Sequence, residues 1–187
     1  TAYEMLRSLV GSEMCIRDRV KTVLETEEAV DALDRTIGNF LNRIDVGELP
    51  PLDAKRLHVL DHVTVDIERV GDHAVNIAER AEVAVKQGFT FSPQARRDLS
   101  DMFDKALRLY RLSLQALEGE DHTSAEEAFE LEREVDRLEV RYKEGHIERV
   151  ERGICDPSAG ILYIEVLRNL ERIGDHAVNI AGDVLLV

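Results

Sequence analysis

Apolar residues recur in alternating steps of three and four at Leu60, Val63, Ile67, Val70, Ala74, Ile77, Ala81 and Ala84. That is the period of one face of an α-helix. The same rhythm returns 103 residues later at Tyr163, Val166, Leu170, Ile173, Ala177, Ile180, Val184 and Val187. Phe103, Leu107, Tyr110, Leu114 and Leu117 form a similar stripe between them. Gly47, Gly88, Gly119 and Gly153 each follow a periodic segment, where a helix end favours glycine. The prolines fall only between segments, and Ser92-Pro93 and Asp156-Pro157 read as an N-cap followed by the first helical residue. Thr123 with Glu126 has capping-box spacing. The pattern predicts helices over 20–46, 53–87, 93–118, 123–152 and 157–187, with Thr1–Arg7 as the stub of an earlier one.

Composition agrees with a helical protein. The 187 residues include 5% aromatics, no Trp, 11 Gly and 4 Pro. The formal net charge of -14 excludes nucleic-acid binding through the overall field, since phosphate contacts need a basic face. Two cysteines, Cys15 and Cys155, make no disulfide framework and point to a reducing cytosol. No apolar run approaches the roughly 20 residues of a transmembrane helix, and no signal peptide is visible. Residues Ser8 to Arg19 (SLVGSEMCIRDR) resemble the conceptual translation of a sequencing adapter, which leaves Cys155 as the thiol to reason about. The chain opens at Thr1 without an initiator Met and closes at Val187 within an apolar pattern, so the parent protein is expected to extend beyond both ends.

An internal repeat carries the candidate chemistry. Glu68 to Ala78 reads ERVGDHAVNIA and Glu171 to Ala181 reads ERIGDHAVNIA, differing at one position. The preceding helices match more weakly, Glu27 to Leu33 with Glu132 to Leu138. Two copies of a three-helix unit follow, over residues 20–90 and 91–187, after a stub and adapter stretch at 1–19. The fold class is all-α: two pseudo-symmetric antiparallel three-helix bundles, with the first helix truncated.

Glu27 and Asp31, Glu68 and Asp72, Glu132 and Asp136, and Glu171 and Asp175 are each spaced i, i+4. That spacing stacks two carboxylates on one helical face. Alone it describes a solvated surface; its recurrence at equivalent places in both repeats is the signal. Glu68, Asp72 and Asn76, and Glu171, Asp175 and Asn179, form stripes opposite the apolar seams, while Glu27, Asp31, Glu132 and Asp136 flank theirs. Carboxylates gathered so repel one another, and oxygen-only ligands favour hard cations. His73 and His176 flank the seams, where packing against a neighbouring helix is commoner than ligation. His58 and His62 lack the glutamate of a zincin helix. Glu-x-x-His pairs of a di-iron bundle, a phosphate loop and a nucleophile–base pair are all missing, which argues against an enzyme. Gly71 and Gly174, mid-helix, permit close helix approach.

The doubled ERxGDHAVNIA, each copy preceded by a helix with ExxxD, resembles the PhoU family of phosphate-uptake regulators. The resemblance spans Val20 to Val187. It implies paired three-helix bundles whose E(D)xxxD motifs bind metal ions in multinuclear clusters, of Fe, Mn, Mg or Zn. The ligands it implies are Glu27, Asp31, Glu68 and Asp72 in one repeat and Glu132, Asp136, Glu171 and Asp175 in the other. The stretch from His146 to Pro157 is most like the cytoplasmic domain of sodium/phosphate cotransporters, with the free-standing regulator of the phosphate ABC transporter and its sensor kinase as the alternative. A metal-carboxylate enzyme is the rival from another class. Either regulator implies a phosphate transporter as partner, in cis or in trans, a place at the inner face of the cell membrane reached only through that transporter, and the option of a homo-oligomer.

Overall fold

A computed structural model describes residues 13–186, and the stub expected at Thr1–Arg7 lies outside them. The chain forms α1 (Glu13–Leu41), a short 3-10 turn at Val46–Glu48, α2 (Pro51–Lys86), α3 (Pro93–Gly119), α4 (His122–Glu151) and α5 (Pro157–Val184). Among the described residues there is no strand, and no helix is long and apolar enough to cross a membrane. α1 begins within the adapter-like stretch and ends five residues short of the predicted boundary.

Local chemistry sets the breaks. Ser92 accepts a hydrogen bond from the Ala95 N–H, and Asp156 accepts from those of Ser158 and Ala159, so both X-Pro starts are capped as the sequence implies. At α4 the cap is Asp121, which accepts from the Thr123 N–H, in place of the expected Thr123–Glu126 box. Asp121 wins because it sits two residues earlier, where its carboxylate also receives the Ser124 hydroxyl. The left-handed residue after α3 is Glu120 (φ 47°) and not Gly119, whereas Gly88 and Gly153 both take φ 68°.

α3, α4 and α5 pack on one another as an antiparallel three-helix bundle, α1 packs on α2, and α2 packs along α5. The largest core joins Leu99, Met102, Leu109, Val135, Tyr163, Leu167 and Leu170, all essentially inaccessible to solvent. The predicted seam of α5 is buried from Tyr163 to Val184 except for partly exposed Ile173. The equivalent seam of α2 is not uniformly buried. Leu60, the counterpart of fully buried Tyr163, is 48% exposed, because among the described residues no helix covers α2 as α3 covers α5. Leu33, Ile37 and Phe40 of α1 are exposed for the same reason.

One polar network fastens the complete bundle. Asp98 of α3, 3% exposed, receives the Tyr163 hydroxyl at 3.0 Å, Arg149 at 3.1 Å and Gln94 at 2.7 Å. It therefore ties α3 to both α4 and α5. Removing one partner of a buried pair strands the other charge. Asp98→Ala is expected to lower unfolding stability by about 3–5 kcal/mol in urea titrations, while Leu60→Ala changes it by less than ~1 kcal/mol.

Candidate metal centre

The carboxylates gather where a glycine lets two helices approach. A Cβ built on Gly174 of α5 would lie 3.3 Å from Leu109 and 3.4 Å from Val135 of α4. A Cβ on Gly71 of α2 would lie 3.7 Å from Glu27 and 3.9 Å from Val30 of α1. Val30 and Val135 are equivalent in the repeat, so each glycine faces the same valine. Side chains one step to either side of that contact are the acids. The helix pair is thus pinned by apolar packing below and lined by carboxylates above, half-buried except for exposed Asp136.

In the second repeat Glu132 and Asp136 of α4 meet Asp175 of α5, with a ligand oxygen from each within 4.8 Å of the others. Desolvation raises the Glu132 carboxyl above its ordinary value, helped by the charges of Asp136 and Asp175 and by a hydrogen bond with Asp136. Glu171 beside them is raised by desolvation and then by Asp175, with Arg172 opposing and Asp136 and Glu139 adding to the rise. Asp175 is raised too, again chiefly by desolvation, against the pull of Arg172.

The first repeat holds the equivalent four acids in a looser arrangement. Glu27 is raised by desolvation, then by Asp31 and Asp72; Glu68 by desolvation and Asp72, with Arg69 opposing and Asp31 and Asp34 adding. These four do not close to the tight triad seen in the second repeat. Asp31 is bound by the Arg35 guanidinium at 2.8 Å, a partner that Val140 replaces in the other copy. Asp34 and Glu139 lie near enough for their charges to act on Glu68 and Glu171, and they escaped the sequence pattern. They stand 105 residues apart, the same offset as Asp31 and Asp136, and that shared offset is the signal that would have found them.

His73 and His176 meet each other where α2 crosses α5, their rings stacked with centroids 5.5 Å apart. His176 Nδ1 donates to Asp66 at 2.7 Å, and His73 Nδ1 to the Asn169 carbonyl at 2.9 Å. The Asn169 amide donates to the Glu165 backbone, which fixes its oxygen toward His73. Asp66 and Asn169 are repeat equivalents, so the contact is made twice about a pseudo-twofold axis. Asn179 joins this interface by donating to Asp66 at 3.3 Å, away from the acid ledge it was grouped with.

The family model described as PhoU domain matches residues 3–81 and 99–184. The phosphate-specific transport system accessory protein PhoU homolog 1 of Thermotoga maritima is 28% identical over 168 residues, covering 89% of this chain and 72% of that protein. A phosphate-specific transport system accessory protein PhoU homolog of Pseudomonas putida is 31% identical over 167 residues, covering 87% of this chain and 63% of that protein. The crystal structure of PhoU from Pseudomonas aeruginosa superposes with a TM-score of 0.82 at 23% identity, covering 98% of this chain and 88% of that one, a likeness of fold.

The raised carboxyls predict how the metal-free protein responds to pH. A carboxyl raised above its unfolded value stabilises most below that value, 4.5 for Glu, and the contribution is lost as pH rises through the folded value. Chelator-treated protein should therefore melt higher at pH 5 than the same groups allow at pH 7.5. Glu132→Gln with Glu171→Gln should shrink that difference in calorimetric melts.

Proposed function

The chain belongs to the PhoU family, and from that premise we propose a regulatory accessory protein of phosphate transport that binds cations in two carboxylate centres. The observation that carries the reading is the convergence of Glu132, Asp136 and Asp175, repeated in looser form by Glu27, Asp31, Glu68 and Asp72. These residues would hold the ions, with Glu171 completing the second centre. A bound cation supplies the positive charge that relieves carboxylate repulsion. Oxygen donors alone suit Mg, Mn or iron better than soft ions.

The relatives' names support the free-standing regulator over the cotransporter domain expected from residues 146–157. The partner is then a phosphate transporter bound in trans, with its sensor kinase, at the inner face of the membrane. A regulatory role fits the chemistry better than catalysis. The acids lie along shallow helix seams, and the polar groups beside them are arginines that neutralise charge, such as Arg172 against Glu171 and Asp175.

The test is complementation in a bacterium whose own PhoU gene is deleted. The wild-type chain should restore repression of phosphate uptake. Asp72→Asn with Asp175→Asn should abolish repression at equal protein level and unchanged helicity. Full repression by that double variant contradicts a regulatory role for the centres.

A further inference from the structure

The two ledges carry equivalent sets of acids, yet among the described residues only the second brings three of them together. What differs between the copies is the charge beside those acids. On the α2 and α5 side the arginines match. Arg69 lies 3.6 Å from Glu68, and its equivalent Arg172 lies 3.7 Å from Glu171. Arg172 also touches Asp175 at 3.4 Å, and the triad of the second ledge forms regardless. On the facing helices the copies diverge: α1 presents Arg35 where α4, 105 residues on, presents Val140.

Arg35 follows Asp31 by one helical turn, and its guanidinium donates to the Asp31 carboxylate at 2.8 Å. Its charge also acts on Glu27, opposing the rise of that carboxyl. Val140 offers Asp136 no charge, and that acid shares a hydrogen bond with Glu132 in its place. α4 does carry an arginine beside its glutamate, Arg133, where α1 carries Glu28, but Arg133 is ion-paired with Glu130. The Arg35 side chain is 64% exposed, so it can turn into water without disturbing the packing of α1 on α2. Exposed i, i+4 ion pairs of this kind are weak. A divalent cation brings twice the charge to the same oxygens and can displace the guanidinium, whose own positive charge weakens the ion in turn.

We propose that Arg35 is the resident counter-cation of the first ledge, holding Asp31 until a divalent cation displaces it. The second ledge then fills first, and the first fills only at higher cation concentration. The inference rests on the reading of both ledges as cation centres, and it names what regulates one of them. At low cation concentration the chain holds an ion in the second ledge and a guanidinium in the first. At high concentration both ledges hold ions, and Arg35 faces solvent. One chain thereby answers to two concentration ranges of a single ion.

Chelator-treated full chain is titrated with Mn²⁺, the free ion being read by electron paramagnetic resonance. Asp136→Asn with Asp175→Asn isolates the first ledge, and adding Arg35→Val should tighten its Mn²⁺ at least about fivefold. Asp31→Asn with Asp72→Asn isolates the second ledge, and adding Val140→Arg should weaken its Mn²⁺ by a similar factor. Arg43→Val removes the same charge just past the end of α1, and should leave the first ledge unchanged. Two results overturn the inference while Mn²⁺ on the second ledge keeps the cation centres standing: no tightening by Arg35→Val, or equal tightening by Arg43→Val. Absence of Mn²⁺ from every chain overturns the cation centres and this inference together.

Discussion

Carboxylate repulsion across two helix seams is the force around which the described structure is arranged. Each seam places acids from facing helices beside one another, and half-burial denies them the full screening of water. The helices do not spring apart because the layer beneath is apolar and close. Val135 and Leu109 pack at the Gly174 backbone, and Glu27 and Val30 at that of Gly71. Packing therefore holds a charge distribution that electrostatics alone opposes. Glu27, Glu68, Glu132, Glu171 and Asp175 are all raised, first by desolvation and then by neighbouring carboxylates. A cation at either ledge turns the opposing term into a favourable one.

The two repeats answer this constraint differently. In the second, a complete bundle fastened by Asp98, Arg149 and Tyr163 backs the ledge, and three acids converge. In the first, α1 lies on α2 with its outer apolar face exposed, and Arg35 already holds Asp31. Between them α2 and α5 meet through His73 and His176, which reach across to the other copy's Asn169 and Asp66, with Asn179 also donating to Asp66. Each histidine follows the aspartate of a carboxylate ledge by one residue. The ledge and the interface are therefore built on adjacent positions of the same helical turn.

Much of this was legible in the sequence. The step of three and four predicted α2, α3 and α5, glycine and proline punctuation marked out α1 and α4, and the ten identities in the repeated segment predicted two equivalent ledges. The eight candidate ligands all lie at the helix pairs α1–α2 and α4–α5. What escaped was tertiary. The exposure of Leu60 depends on which helix lies over α2, and no pattern within α2 reports that. The capping of α4 by Asp121 was hidden by a competing box two residues later. Asp34 and Glu139 share the repeat offset, but one is Asp and the other Glu, so identity matching passed over them. The histidines' pairing across the pseudo-twofold axis required knowing that α2 runs antiparallel to α5.

Elemental mass spectrometry of the purified chain tests whether the two ledges are cation centres of unequal closure. Bound metal is expected in the wild type, with Asp136→Asn plus Asp175→Asn removing one share and Asp31→Asn plus Asp72→Asn the other, the second repeat holding its share more tightly against chelator. Wild-type metal content left unchanged by either pair of substitutions, in chains that remain helical, would contradict it.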